Sequence, residues 1–241
     1  YNAAVKIKSI LVSIVTSLGV VLLPRASYYV EHGQMDEFYR ITKKAIDFVF
    51  VIATPMMLYF TLFAKEGVYF LSGSAYAGAI IPMQIIMPTL LFIGLTNIMG
   101  IQMLVPLGRE KIVLYSEIAG VIVDVILNAL LIPQMASAGA AIGTLAAEAT
   151  VWMVQFIALK NNVFESYKKI RYFSIIIALL VATAVSHFAE FLSWGSFLTL
   201  CVSAILFFGT YGGVLTIARE PLVIEIEQQI FKKLKGRHHI R

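Results

Sequence analysis

Apolar residues fall along this chain in seven long runs, at 3–23, 45–63, 80–105, 112–132, 138–159, 173–192 and 197–217, parted by shorter polar stretches. Crossing about 30 Å of hydrocarbon takes about 20 apolar residues at about 1.5 Å each, and every run reaches or approaches that length. None alternates with the period of two that a half-buried strand requires. A backbone in lipid must satisfy its own hydrogen bonds, which leaves helices as the reading for all seven. The pattern predicts an all-α, polytopic integral membrane protein: a transmembrane helical bundle over 1–217 and a polar tail over 218–241. Pro24, Gly108, Pro133 and Trp194-Gly195 stand between runs and read as breaks, while Pro55, Pro82 and Pro88 stand inside runs and predict kinks.

Composition agrees with the pattern. The 241 residues are 59% apolar and 14% charged, with a mean hydropathy of +0.85, whereas soluble domains are about 25% charged. A soluble enzyme and a disordered chain are both excluded. The first residue is Tyr1 and an apolar run follows at once, so the chain is expected to be a fragment of a longer membrane protein. Cys201 is the single cysteine, which excludes an internal disulfide. His32, His187, His238 and His239 have no partners at metal-ligand spacing, and no Gly-rich phosphate cradle occurs, so neither a metal nor a resident cofactor is expected.

The net charge of +5 invites a nucleic-acid reading until the basic residues are placed. Of the 19 Lys and Arg residues, Lys65 alone falls in one set of alternate connections, and Lys6 and Lys8 lie inside the first run. All the others gather in the opposing connections: Arg25, Arg40, Lys43 and Lys44; Arg109 and Lys111; Lys160, Lys168, Lys169 and Arg171; and the tail. An excess of Lys and Arg marks the cytoplasmic side. The asymmetry thus orients seven helices in the cell membrane with the C-terminus cytoplasmic and removes the case for nucleic acid. In the tail, Pro221 suits a first helical turn, and Leu222, Ile226, Ile230 and Leu234 recur at spacing four ahead of Lys232, Lys233 and Lys235. An amphipathic helix on the lipid surface and a solvated or partner-bound tail are both open.

Ionisable residues at membrane depth are costly and therefore candidates for function. Counted from Ile112, Glu117 lies about 8 Å deep, Asp124 about 18 Å and Asn128 about 24 Å at about 1.5 Å per residue. Their spacings of seven and four put all three on one helix face. Glu148, in the next run, is also near mid-depth, with Thr144 and Gln155 on its face. The carboxylates are suited to binding a sodium ion, exchanging a proton or contacting substrate hydroxyls; the competing reading is that Asn128 or Gln155 bonds them and they only join helices. Lys6 and Lys8 lie about 200° apart around their helix, so they cannot both face one cavity. Asn97, Gln102 and Asp47 are secondary candidates, residue types that more often cap helices or join them, and Asn97 is kept with the substrate-binding set. Gly139-x-x-x-Gly143 reads as a close helix-packing face.

Two pairs of strings carry a family likeness. Tyr1-Asn2-Ala3-Ala4-Val5-Lys6-Ile7 with Leu22-Leu23-Pro24-Arg25-Ala26-Ser27, and Leu127-Asn128-Ala129-Leu130-Leu131-Ile132-Pro133 with Ala138-Gly139-Ala140-Ala141-Ile142-Gly143-Thr144, resemble the polysaccharide transporter family. These are O-antigen and capsule repeat-unit flippases, in one superfamily with multidrug extruders and the lipid II flippase. The resemblance implies a two-lobed fold of fourteen helices around a cavity, of which this chain would supply the C-terminal seven. It further implies flipping of polyprenyl-diphosphate-linked oligosaccharides by alternating access, with Lys6 or Lys8, and Arg25 at the cytoplasmic mouth, holding diphosphate. Glu117, Asp124, Asn128 and Glu148 would couple transport to sodium ions or protons. Implied partners are the lipid-linked oligosaccharide, membrane lipids, and a polysaccharide polymerase and glycosyltransferases. Asp124 stands where relatives often carry Asn, and Gln134-Met135-Ala136-Ser137 replaces their Gly-containing turn. The rivals are a cation-coupled multidrug antiporter, which needs an apolar, aromatic-lined cavity, and a membrane-embedded polymerase or ligase, which needs a large outer loop carrying Arg or His. Transport without covalent chemistry is the expectation.

Overall fold

The computed structural model describes residues 1–168, 170–189, 195–225 and 228, and among them there is helix and no strand. In chain order the helices are α1 (Asn2–Glu31), α2 (Met35–Leu62), α3 (Ala64–Ser72), a 3-10 turn (Ser74–Ala79), α4 (Ile80–Ile86), α5 (Thr89–Thr96), a π-helical segment (Asn97–Leu104), α6 (Glu110–Met135), α7 (Ser137–Lys168), α8 (Tyr172–His187) and α9 (Ser196–Ile217). Contacts divide the chain into two units, Tyr1–Lys169 and Ile170–Arg241.

α1, α2, α6, α7 and α9 are long and apolar enough to cross a membrane; the stretch 74–104, bent by 45° at its break, makes a sixth if it counts as one span. The seven expected spans thus appear as five or six, with α8 a shorter apolar helix of 16 residues. The last residues of the run 173–192, Trp194, and most of the tail lie outside the described residues; the tail's helical turn does open at Pro221.

Two expected breaks are corrected. α1 runs through Pro24 and α6 through Pro133. Proline deletes one ladder bond, but helices packed in a membrane absorb the freed carbonyl. As a result, the connection expected over 25–44 shrinks to residues 32–34, and Arg25 lies on a helix instead of in a loop. The stop falls at Gly33, whose φ of 68° suits glycine. Pro55 lies within an unbroken α2, and Pro82 within α4; Pro88 does interrupt its run. At that break the Thr89 hydroxyl donates to the Ile86 carbonyl at 2.6 Å, satisfying a group the bend would strand.

In the first unit the core is the broken stretch itself. Met83, Ile86, Met87, Leu90, Leu95, Met99 and Met103 are buried, packed among α1, α2 and α7. α6 is the opposite case: Ser116 and Gly120 are its buried residues, and Leu114, Ile118, Ile122, Val125 and Leu130 stay exposed. Its apolar outer surface suits lipid or further protein. Two hydrogen bonds show which helix ends meet. Asn162 of α7 donates to the Tyr39 hydroxyl of α2, and Arg109 donates to the Ala158 carbonyl at 3.1 Å. Arg40, Lys43 and Lys44 of α2, Arg109 and Lys111 at the start of α6 and Lys160 of α7 therefore share one end of this unit, while Tyr1 meets Thr144 toward the other.

In the second unit α8 and α9 form a hairpin. Ile175, Ala178, Ala182 and Ser186 face Ser203, Phe207, Tyr211 and Leu215, each stripe stepping by three or four residues. Arg171 closes it, donating to the carbonyls of Ala218 (3.0 Å) and Arg219 (2.9 Å) at the end of α9.

Candidate functional site

α6 and α7 run back to back because small residues let them. A Cβ built on Gly139 would lie 2.6 Å from the Leu131 carbonyl carbon, one on Gly120 would lie 2.6 Å from a Val151 methyl, and one on Gly143 would strike the Asn128 amide. The hairpin turns at Ala136, which adopts φ 47°, ψ −124°. Such a conformation costs a non-glycine residue about 1–3 kcal/mol. Ala136→Gly is therefore expected to stabilise the protein by about 1 kcal/mol, read as a higher thermal midpoint in detergent. A midpoint that stays or falls would mean that the alanine methyl contributes packing.

This close pairing brings the acids of the two helices to one place. Glu117 and Asp124 of α6 and Thr144 and Glu148 of α7 line a pocket of 190 Å³ whose remaining walls are Gly120, Val121, Ala147 and Val151. The Asp124 Oδ1 and Asn128 Oδ1 oxygens are buried without a hydrogen-bond partner, and both lie against Gly143. A third helix faces the same place. Lys8 of α1 attracts Glu148, which Glu117 and Asp124 repel, and the Tyr1 hydroxyl lies 3.3 Å from the Thr144 hydroxyl. Three of the eight expected site residues thus line this pocket: Glu117, Asp124 and Glu148. Asn128 adjoins it through Gly143.

The other expected site residues lie elsewhere. Lys6 lines a separate pocket of 610 Å³ with Asn2, Ile10, Leu71 and Tyr76. Arg25 is exposed on α1. Asn97 sits in the π-helical segment, where its amide and that of Gln102 press on Gly19 of α1. Gln155, expected to share the Glu148 face, also faces α6 but does not line the pocket: its Nε2 donates to Ser116 Oγ at 3.0 Å, and its amide packs on Gly100. Sequence spacing missed Ser116 and Tyr1. A serine in an apolar run and a terminal tyrosine carry no periodic signal.

Chemically, the pocket offers carboxylates, a hydroxyl and carbonyl-type oxygens, which are ligands for hard cations and acceptors for protons or sugar hydroxyls. Among the described residues no three His, Cys, Asp or Glu side chains converge to hold a metal ion. The donor set is carboxylates with neutral oxygens beside them, a set suited to a monovalent ion or a proton.

Long apolar helices, with Asp124 and Glu148 half-buried between two of them, define a multi-pass membrane protein that is all-helical among the described residues. No protein-family model matches the chain. It is 25% identical over 210 residues, 87% of its length, to an uncharacterized membrane protein of Methanocaldococcus jannaschii. It spans 41% of that relative's length.

Proposed function

We propose that the chain is the C-terminal part of a flippase that moves polyprenyl-diphosphate-linked oligosaccharide repeat units across the cell membrane for surface polysaccharide biosynthesis. The observation that carries the reading is the pocket between α6 and α7, which Glu117, Asp124, Glu148 and Thr144 line between two long apolar helices. The resemblance to polysaccharide transporters rests partly on the strings 127–133 and 138–144, and Gly139 and Gly143 of the second pack against Leu131 and Asn128 of the first, beside the pocket. In this reading a sodium ion or proton engages Asp124, with the oxygens of Asn128 and Thr144 beside it. Neutralising Asp124 would weaken the mutual repulsion of the acids and shift which arrangement of the helices is favoured. Lys6 or Lys8, with Arg25, would receive the diphosphate. The basic end of α2, α6 and α7 would face the cytoplasm, and the C-terminus with it, by the excess of Lys and Arg.

A multidrug antiporter has one observation behind it, an aromatic row of Phe92, Trp152, Phe156, Tyr167 and Phe50 with successive ring centroids 5.2–5.7 Å apart. None of these rings lines the pocket of Asp124 and Glu148, which favours a polar cargo. The decisive experiment is deletion of the full gene. Lipid-linked repeat units are expected to accumulate on the inner leaflet and surface polysaccharide to fall. Unchanged polysaccharide together with new drug sensitivity would replace the flippase with the antiporter.

A further inference from the structure

A third pocket, unconnected with the acids, lies at the basic end between the first turns of α2 and the last turns of α7. It has a volume of 380 Å³, and every side chain lining it carries a polar group: Arg40, Lys43, Tyr39 and Asp36 from α2, Asn161, Asn162 and Ser166 from α7. In a chain that is 59% apolar, a pocket without an aliphatic wall is chemically distinct; the pocket at Lys6, by contrast, includes Ala3, Ile10 and Leu71. Its walls are tied together by the hydrogen bond from Asn162 to Tyr39.

We propose that this pocket binds the phosphate of an anionic membrane lipid. Two cations flanked by amide and hydroxyl donors match a phosphate ester, which accepts several hydrogen bonds and takes a guanidinium in two-pronged fashion. Arg40 pairs within its own helix with Glu37, but both side chains are largely exposed, at 65% and 40%, and such a pair holds the guanidinium weakly. Asp36 would repel a bare phosphate but accepts from a headgroup hydroxyl, so the pocket suits a headgroup such as glycerol. Its location agrees, since it opens at the ends of two membrane-crossing helices, where headgroups lie, and basic pockets between such helices recruit acidic lipids. The inference does not depend on the flippase reading.

The test uses purified full-length protein in detergent, with native mass spectrometry counting retained phosphatidylglycerol against phosphatidylcholine. Phosphatidylglycerol is expected to be held preferentially, and Arg40→Gln with Lys43→Gln to cut its retention roughly twenty-five-fold, each basic residue contributing roughly a five-fold factor. Lys65→Gln, at the opposite end, should leave retention unchanged, and an unaltered thermal midpoint of the double variant shows that it folds. Inorganic diphosphate added in competition identifies the source. No displacement supports the lipid headgroup, whereas displacement that also needs Arg40 and Lys43 assigns the pocket to soluble phosphate and overturns the lipid. Equal retention of both lipids, or full retention by the folded double variant, overturns the phosphate site itself.

Discussion

Asp124→Asn in the full-length protein is expected to lower cation-dependent transport at least ten-fold, about 1.4 kcal/mol, while leaving the protein folded. Asparagine has the shape of aspartate, so the contact of residue 124 with Gly143 survives and only the charge and the titratable proton are lost. If Asp124 merely joined α6 to α7 as a neutral hydrogen-bonding group, an amide would serve as well and transport would hardly change. Glu148→Gln should act in the same direction and, because Asp124 and Glu148 repel across one pocket, the two effects should not add. The measurement is transport by each single variant and the double variant over a range of sodium concentration and pH. A flat response to sodium with a retained response to pH would assign the proton as coupling ion, and the converse would assign sodium. Full transport by Asp124→Asn with unaltered ion dependence would remove the residue from coupling altogether.

Gly139→Ala is expected to be among the most damaging single methyl additions in this chain, destabilising it by about 2–3 kcal/mol. The new methyl would sit 2.6 Å from both the carbon and the oxygen of the Leu131 carbonyl and 2.9 Å from the Ile132 nitrogen, all of it backbone that no rotamer change can clear. The helices must separate, and the pocket they frame widens with them. Gly209→Ala in α9 is the matched control: its methyl meets nothing within 4 Å, and alanine is the better helix former by about 1 kcal/mol. Thermal unfolding in detergent should therefore show the two variants moving in opposite directions from the parent. Coincident midpoints would mean that α6 and α7 already have slack at Gly139. Gly143→Ala is the intermediate case, because the obstacle is the end of the Asn128 side chain, which can swing aside.

The acid pocket was largely legible from one-dimensional spacing. Residues 117, 124 and 128 share a face because seven and four residues are near whole turns, and Glu148 meets them because equal rise from opposite ends brings antiparallel neighbours to the same depth. The glycines at 139 and 143 announced the contact. What spacing does not carry is which third helix looks on. Lys8 was one of two lysines facing opposite ways, and the Tyr1–Thr144 contact joins residues far apart in the chain. Proline was over-read: it breaks a lone helix in water, but Pro24 and Pro133 sit in helices whose neighbours and length outweigh one missing bond. The phosphate pocket was invisible for a different reason, since Arg40 and Ser166 come from distant segments that only the fold brings together, and each by itself reads as a solvated helix end.

The π-helical segment after α5 makes residue count a constraint in its own right. Its ladder skips five residues per bond, as from Val105 back to Gly100. Within Asn97–Leu104 the chain therefore carries more residues per turn than an α-helix, and the surplus aims Gln102 at Gly19 and presents Gly100 to Gln155. Deleting one residue from the segment would restore a tighter and more regular helix and rotate every later side chain by about 100°. Apolar residues here can exchange for one another with modest repacking. A gap of one, by contrast, would dial Gln102 off Gly19 of α1 and turn Gly100 away from Gln155 of α7.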